Sequence, residues 1–368
     1  MEYTFLLSGD YADLAKEEVI SLFDIGNFRL IDRLFIVDLK NDENIIKKLS
    51  QRLALTKSIY KLLFECKINE LTDLMKKYDW NSIYKDDFCL RIHYSKNDKN
   101  KINKKTKQFL EKNLAKYIWS SVKNPKVNLK NPKTKIELFI IGNNAYCGLL
   151  IFENNQDAGT KFGATYGGFE SRKSHLRPFP HPSSLHPRLA RAFVNISGVK
   201  EGETLLDPFC GTGGFLIEAG LMGIDVVGYD ISKNMVKGCI SNLKYFKIKN
   251  YIIKKKNALQ IQNKFDYVVT DFPYGLNSNV YLEYNKKSLR NKDNKINLKT
   301  NKNQIQNIEM FYLKFLQKLR KILKKKAVII FPSYVNHKKL LKTAKFKIGR
   351  EFSIYVHRSL TRKIVRIV

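Results

Sequence analysis

The chain has 368 residues, 43% of them hydrophobic, and a formal net charge of +33 from 67 Lys+Arg against 34 Asp+Glu. That is length for two domains with real cores, and the charge points to a polyanionic partner, nucleic acid above all. Cys66, Cys89, Cys147, Cys210 and Cys239 form no CxxC pair and have no histidine at metal-ligand spacing, which argues against a zinc site or a disulfide framework and suits a reduced, cytoplasmic setting. The N-terminus lacks a basic stretch followed by an apolar core, so no signal peptide is expected. No window approaches the ~18 uninterrupted apolar residues of a membrane span.

Taken in order, Tyr3–Leu7 predicts a strand, Ser8-Gly9-Asp10 a turn, and Tyr11–Phe23 a helix through Leu14, Val19 and Leu22. Phe28–Ile31 and Leu34–Leu39 predict a strand pair and Asn44–Leu55 a second helix, giving a small βαββα unit. A second α+β unit runs from Lys57 to about Glu153, with strands Ile59–Cys66, Phe88–His93, Val127–Leu129, Ile136–Ile141 and Tyr146–Phe152. Its helices are Ile68–Tyr78 and Thr106–Val122, the latter with Phe109, Leu114 and Ile118 expected on one face and lysines on the other. Lysines flank every element, as phosphate contacts that position a nucleic acid without reading its sequence would require. Residues 154–182 read as a linker and a loop leading into the next domain, and Leu185–Val194 as a helix.

From Thr204 strands alternate with helices. Thr204–Leu206 is a strand ending in Asp207, Phe215–Leu221 a helix, Asp225–Tyr229 a strand ending in Asp230, and Lys233–Phe246 a helix. Strands Tyr251–Ile253 and Phe265–Val269, helix Ile308–Leu323 and strand Ala327–Phe331 continue the alternation, the pattern of a mostly parallel sheet covered on both faces. Phe346–Ile348 and Ser353–Val356 are expected to pair, and Lys363–Val368 is a final apolar run. Asn277–Gln306, rich in Lys and Asn and without periodicity, is expected to be a lid or a disordered segment.

Two strand ends carry the chemistry. Asp207-Pro208-Phe209-Cys210-Gly211-Thr212-Gly213-Gly214 follows a strand and opens a helix, and its glycines permit close backbone approach to a ligand. It is not the Gly-x-Gly-x-x-Gly dinucleotide fingerprint, and it lacks the Lys-Ser/Thr of a phosphate-cradling loop. A carboxylate at Asp207 suits a cationic amino group better than a pyrophosphate. Asp230 ends the next strand about 20 residues on, the spacing at which an acidic side chain binds ribose hydroxyls. S-adenosylmethionine meets these demands with its ammonium, sulfonium and ribose. The plainer reading is a Gly-rich turn with two strand-end Asp caps. The second strand end is Thr270-Asp271-Phe272-Pro273-Tyr274-Gly275, which combines a carboxylate acceptor, a rigid Pro and a flat ring. Such a set holds a planar base by its exocyclic amino group, although Asp-x-Pro-x-Gly also makes a good turn.

Asp207–Gly214, Asp230 and Asp271-x-Pro-Tyr274, in that order, resemble the class I methyltransferases that act on exocyclic amines. The whole chain is similar to the archaeal tRNA guanosine-10 N2-methyltransferases. The closer match lies in Ser8-Gly9-Asp10-Tyr11, Arg52-Leu53-Ala54-Leu55-Thr56, Asn131-Pro132, the stretch from Arg177 through Pro187, and His357-Arg358-Ser359-Leu360-Thr361-Arg362. The resemblance implies an α/β fold with a Rossmann-like class I methyltransferase domain at 183–368, built on a seven-stranded, mostly parallel sheet. It also implies a ferredoxin-like piece at 1–56, a THUMP RNA-binding domain at 57–153 and a linker at 154–182. By the same resemblance, S-adenosylmethionine is held by Asp207, Phe209, Cys210, Gly211, Thr212, Gly213, Asp230, Ile231, Asn257, Ala258, His181 and Ser183. Asp271, Pro273, Tyr274 and the Phe272 backbone would carry the transfer. The implied protein is a cytoplasmic monomer that binds tRNA, with no membrane and no metal; a small activating protein partner is left open.

Two positions depart from the family pattern. Phe272 stands where Asp-Pro-Pro-Tyr has its first Pro, which puts loop stiffness in question. Asn257-Ala258 stand where an acidic residue commonly takes the adenine amino group, and the Asn257 amide oxygen is expected to accept that hydrogen bond instead. Alternative readings are a THUMP methyltransferase acting on another tRNA guanosine and a non-catalytic tRNA-binding protein in which Phe272 and Asn257 mark decay. A DNA adenine or glutamine-amide methyltransferase shares Asp/Asn-x-Pro-Tyr, but the N-terminal half argues against it.

Overall fold

Two seven-stranded sheets organise the computed structural model, which describes residues 1–40, 43–95, 103–154, 168–182, 184–274, 302–358 and 360–368. Residue contacts divide the chain into two units, Met1–Gln51 with Leu55–Asn154, and Arg52–Ala54 with Asn155–Val368.

In the first unit the elements are β1 (Glu2–Leu7), α1 (Ala12–Phe23), β2 (Arg29–Ile31), β3 (Leu34–Asp38), α2 (Glu43–Ser50), β4 (Thr56–Lys67), α3 (Leu71–Lys77), β5 (Phe88–Tyr94), α4 (Lys104–Ser121), β6 (Thr134–Ile141) and β7 (Asn144–Glu153). The sheet runs β2-β3-β1-β4-β7-β6-β5. Strand β4 starts at the boundary expected between the two N-terminal pieces, and pairs antiparallel with β1 on one edge and β7 on the other. One sheet therefore carries both pieces.

Two local expectations fail here. Phe109 does not share the buried face of α4: it is 64% exposed, whereas Ile118 is 1% exposed. Five residues separate Phe109 from Leu114, about 140° around a helix of 3.6 residues per turn, so the two point apart. Val127–Leu129 forms no strand, only an isolated bridge from Val127 to Phe88.

The second unit begins with α5 (Pro187–Ser197), β8 (Thr204–Asp207), α6 (Gly214–Gly220), β9 (Asp225–Asp230), α7 (Lys233–Tyr245), β10 (Tyr251–Lys255) and β11 (Phe265–Asp271). After these come α8 (Lys302–Ile322), β12 (Leu323–Pro332), α9 (His337–Thr343), β13 (Ile348–His357) and β14 (Leu360–Ile367). The strand order is β10-β9-β8-β11-β12-β14-β13. All neighbours are parallel through β12, and β14 then pairs antiparallel with β12 and β13. Fully buried Val268 and Val269 of β11 show why an apolar run sits in a central strand covered on both faces. The segments expected to pair around Phe346 and Ser353 instead yield one strand, β13, whose partner is the terminal run β14. Of the aperiodic stretch 277–306, residues 277–301 lie outside the described residues.

Strand direction decides where a site can form. From β8 the chain steps to β9 and β10 on one side, then returns to place β11 and β12 on the other. In such a sheet the crevice opens beyond the carboxyl ends of the two strands at the reversal. Those strands are β8, ending in Asp207, and β11, ending in Asp271. Buried Glu218 of α6 binds Arg172 Nε at 2.8 Å and Arg191 Nε at 2.9 Å, which pins the segment Phe169–Arg172 onto this layer.

Candidate active site

A cleft of about 480 Å³ opens at that reversal. Asp207, Phe209, Cys210, Gly211, Thr212, Asp230, Ile231, Asn257, Ala258, His181, Asp271, Phe272, Pro273 and Tyr274 all border it. Gly213 does not itself line the cleft, and Ser183 is outside the described residues. Residues more than 80 positions apart in the chain, His181 and Asp271–Tyr274, thus meet at one opening, as do the ends of three strands.

The Gly-rich loop is shaped by packing. Gly213 has φ +89°, and a Cβ there would sit 2.8 Å from Cys239 Sγ, so only glycine fits. Asn242 of α7, fully buried, clips the loop to the Pro-rich segment. Its Nδ2 donates to Thr212 O and Phe179 O, each at 3.0 Å, and its Oδ1 accepts from Phe179 N at 2.9 Å. Ser184 and Thr212 hydroxyls lie 3.1 Å apart.

Asp207 is 2% exposed. Its Oδ1 accepts from Thr270 Oγ1 at 2.8 Å and from Phe209 N at 3.2 Å. Burial nevertheless pushes this carboxyl up to about 7. A cation arriving beside it favours the ionised form. Asp230 accepts from Gly211 N at 3.0 Å on Oδ2 and from Ser232 N at 2.8 Å on Oδ1, and burial raises it too. The carboxylate's remaining lone-pair capacity is what a ribose hydroxyl would use. The Asn257 oxygen already caps the turn at Leu259 N, at 2.9 Å, and its remaining lone pair is what an adenine amino group would use. A carboxyl ready to meet an ammonium, a carboxylate with free lone pairs, and a slot bordered by Ile231, Asn257 and Ala258 together fit S-adenosylmethionine. Among the described residues no group of three or more His, Cys, Asp or Glu side chains is placed to hold a metal ion.

At the other end, the Tyr274 hydroxyl donates to Asp271 Oδ1. Arg362 Nε donates to the Tyr274 hydroxyl at 3.0 Å and lies 3.7 Å from Asp271 Oδ2. Burial pushes the Asp271 carboxyl up to about 6, against the pull of the Arg362 cation and the Tyr274 hydroxyl. Phe272 answers the question its presence raised. Its buried ring stacks on Tyr312 at 4.1 Å and meets Phe209, Phe315 and Phe331. Its N–H donates to Ile330 O at 3.2 Å, a bond that proline cannot make. Core packing and a ladder bond stiffen the loop where a second proline ring would otherwise do so.

Sequence reasoning assigned no site role to Arg362, Asn242, Tyr312 or Tyr334. Arg362 was inside a noted motif, His357–Arg362, but 88 residues separate it from Tyr274. Only the pairing of β14 on β12, which sets Arg362 opposite Pro332, brings it to the cleft.

The RMKL-like methyltransferase domain family matches residues 174–280, and the THUMP domain family residues 65–150. The tRNA (guanine(10)-N2)-dimethyltransferase of Methanothermobacter thermautotrophicus is 30% identical over 378 residues, covering 100% of this chain and 99% of that protein. The chain belongs to the tRNA (guanine(10)-N2)-dimethyltransferase family. A Pyrococcus abyssi protein of the same name is 29% identical, covering 95% of this chain and 94% of its own. TrmN from Thermus thermophilus shares the fold across 100% of this chain and 99% of its own, with a TM-score of 0.50 at 13% identity. The enzyme is accordingly a methyltransferase that uses S-adenosylmethionine.

Ligand binding should register the poise of Asp207. Below pH about 7 this carboxyl is protonated in the free enzyme. Taking up the cationic cofactor then releases a proton, so affinity falls roughly tenfold per unit as pH drops below that point. Calorimetry from pH 5.5 to 7.5 checks this: wild type should show the slope and proton release, and Asp207→Asn should lose both. A flat wild-type profile would remove Asp207 from the ammonium.

Proposed function

We propose that this enzyme transfers methyl groups to the exocyclic N2 of a guanosine in tRNA, at position 10. The observation that carries this is the acceptor end of the cleft, lined by Asp271, Phe272 and Tyr274, with the Tyr274 hydroxyl bonded to the Asp271 carboxylate. The names of the full-length relatives support the choice of base and position.

In this reading guanine leaves its stack and lies against Tyr274. Asp271 and the Phe272 carbonyl accept the two hydrogens of N2. That localises the nitrogen lone pair, otherwise spread into the ring, and aims it along the line of transfer; much of the acceleration is orientation. When bound, S-adenosylmethionine supplies the electrophilic methyl group. The proton lost from N2 passes to Asp271. Asp207, Asp230 and Asn257 hold the cofactor's ammonium, ribose and adenine, with Phe209, Cys210, Gly211, Thr212, Ile231, Ala258 and His181 shaping the slot.

Residues 1–56 and 57–153 form the tRNA-binding half in this reading, residues 154–182 the connection and 183–368 the catalytic domain. The THUMP match and the charge of +33 support it. The protein is read as a cytoplasmic monomer; no helix among the described residues is long and apolar enough to cross a membrane. Incubation with labelled S-adenosylmethionine and unmodified tRNA, followed by mass spectrometry of the nucleotides, tests the assignment. Label on N2 of guanosine 10 is the expected result; label on another nucleotide would overturn the position, and no label on tRNA would overturn the substrate.

A further inference from the structure

We propose that Pro332 is a positioning residue that keeps the Phe272 carbonyl open for the substrate amine. The proposal rests on the reading that Asp271 and this carbonyl together hold N2.

Strands β11 and β12 are parallel, with Asp271 opposite Ile330, and the Phe272 N–H donates to Ile330 O at 3.2 Å. In a parallel ladder the residue that donates to position j−1 accepts, through its own carbonyl, from the N–H at j+1. For Phe272 that donor would be residue 332. Residue 332 is proline and has no N–H. Among the described residues no donor bonds the Phe272 carbonyl.

The next two carbonyls of the motif are occupied. Tyr312 donates its hydroxyl to Pro273 O at 2.8 Å, and Tyr334 donates to Tyr274 O at 2.7 Å. Of three successive carbonyls, two are tied off and one has no donor among the described residues, and that one adjoins Asp271. Proline is also out of place where it stands. Within sheets it is normally confined to edges, strand starts and bulges, yet Pro332 closes a strand flanked by β11 and β14, is buried, and faces Arg362 across the ladder. An N–H at 332 would draw the Phe272 carbonyl into the ladder, fixing its direction along the sheet and occupying one of its two lone pairs. Its absence leaves that carbonyl as the second acceptor beside the Asp271 carboxylate.

The plainer role for Pro332 is to stop the strand, and one atom separates the two. Pro332→Ala restores an N–H. Lactic acid introduced at 332 by nonsense suppression has the same methyl side chain with an ester oxygen in place of that N–H. In the full chain with unmodified tRNA, Pro332→Ala should lose about tenfold or more in kcat, with cofactor and tRNA dissociation constants held within about twofold. The lactic-acid chain should stay within about threefold of wild type. Equal losses in both chains would assign Pro332 to strand termination and overturn the proposal, as would an unimpaired Pro332→Ala. Should the alanine chain fail to fold, the lactic-acid chain decides alone: near-wild-type kcat supports the proposal and a loss of about tenfold overturns it. Failure of the underlying reading looks different, because wild type itself would then leave guanosine N2 unmethylated.

Discussion

Asp271→Ala is expected to lower the rate of methyl transfer to tRNA by roughly a thousandfold or more, while tRNA binding stays nearly intact. The carboxylate stands at the carboxyl end of β11, its side chain 21% exposed, within the bonding reach of Tyr274 and Arg362. In the proposed mechanism it both accepts an N2 hydrogen and receives the proton, so truncation removes two contributions at once. The same change should spare affinity, because it removes no lysine or arginine from the basic surface that meets phosphate. Single-turnover rates and tRNA dissociation constants, measured on the same preparation, separate the two effects. Unimpaired turnover in Asp271→Ala would dismiss the residue from the reaction.

Arg362→Ala is expected to move the acid limb of the pH–rate profile to higher pH. The sign follows from the causes acting on Asp271. Burial raises its carboxyl to about 6, and the Arg362 cation is the largest influence lowering it. With the cation gone, burial acts with less opposition and the carboxyl titrates higher still, by roughly one to two units. Asp271 must be ionised to accept from N2, so wild-type activity should climb with pH through about 6 and level off above it. The variant should instead still be climbing at neutral pH, running roughly two- to tenfold below wild type at pH 7 and recovering at pH 8 to 9. The Tyr274 hydroxyl and the buried Asp207 also act on Asp271; both residues are retained in the variant, though the Tyr274 hydroxyl loses the hydrogen bond from Arg362. Arg362→Lys, which keeps a charge without the guanidinium geometry, should fall between the two. Identical limbs for wild type and Arg362→Ala would show that the titration belongs elsewhere.

Tyr312 and Tyr334 illustrate why the chain read linearly under-describes its own site. Both lie tens of residues beyond the motif, Tyr312 among the buried apolar residues of α8 and Tyr334 in the turn between β12 and α9. Their hydroxyls reach the motif only because α8 packs over the sheet and β12 runs beside β11. Phe272 is the same case from the other side. Against the family pattern it reads as a flaw, and only the neighbouring Tyr312, Phe315 and Phe331 rings and the Ile330 carbonyl show that it is held. Phe109 misled in the opposite direction, because apolar character on a basic helix does not say which side faces the core.

What the sequence determined by itself was everything local. Short, mostly apolar runs ending in Asp207, Asp230 and Asp271, each followed by a turn or a glycine, specify strands whose carboxyl ends carry acids. Alternation with helices makes those strands parallel, which sends their acidic ends to the same side. The family motifs supplied the ligand. Tertiary structure decided what depends on neighbours across the sheet: that the reversal falls between β8 and β11, that Arg362 lies beside Asp271, and that the residue opposite Phe272 is followed by proline. A hydrogen-bond ladder couples residues by register rather than by distance along the chain, and register is set only when the strands pair.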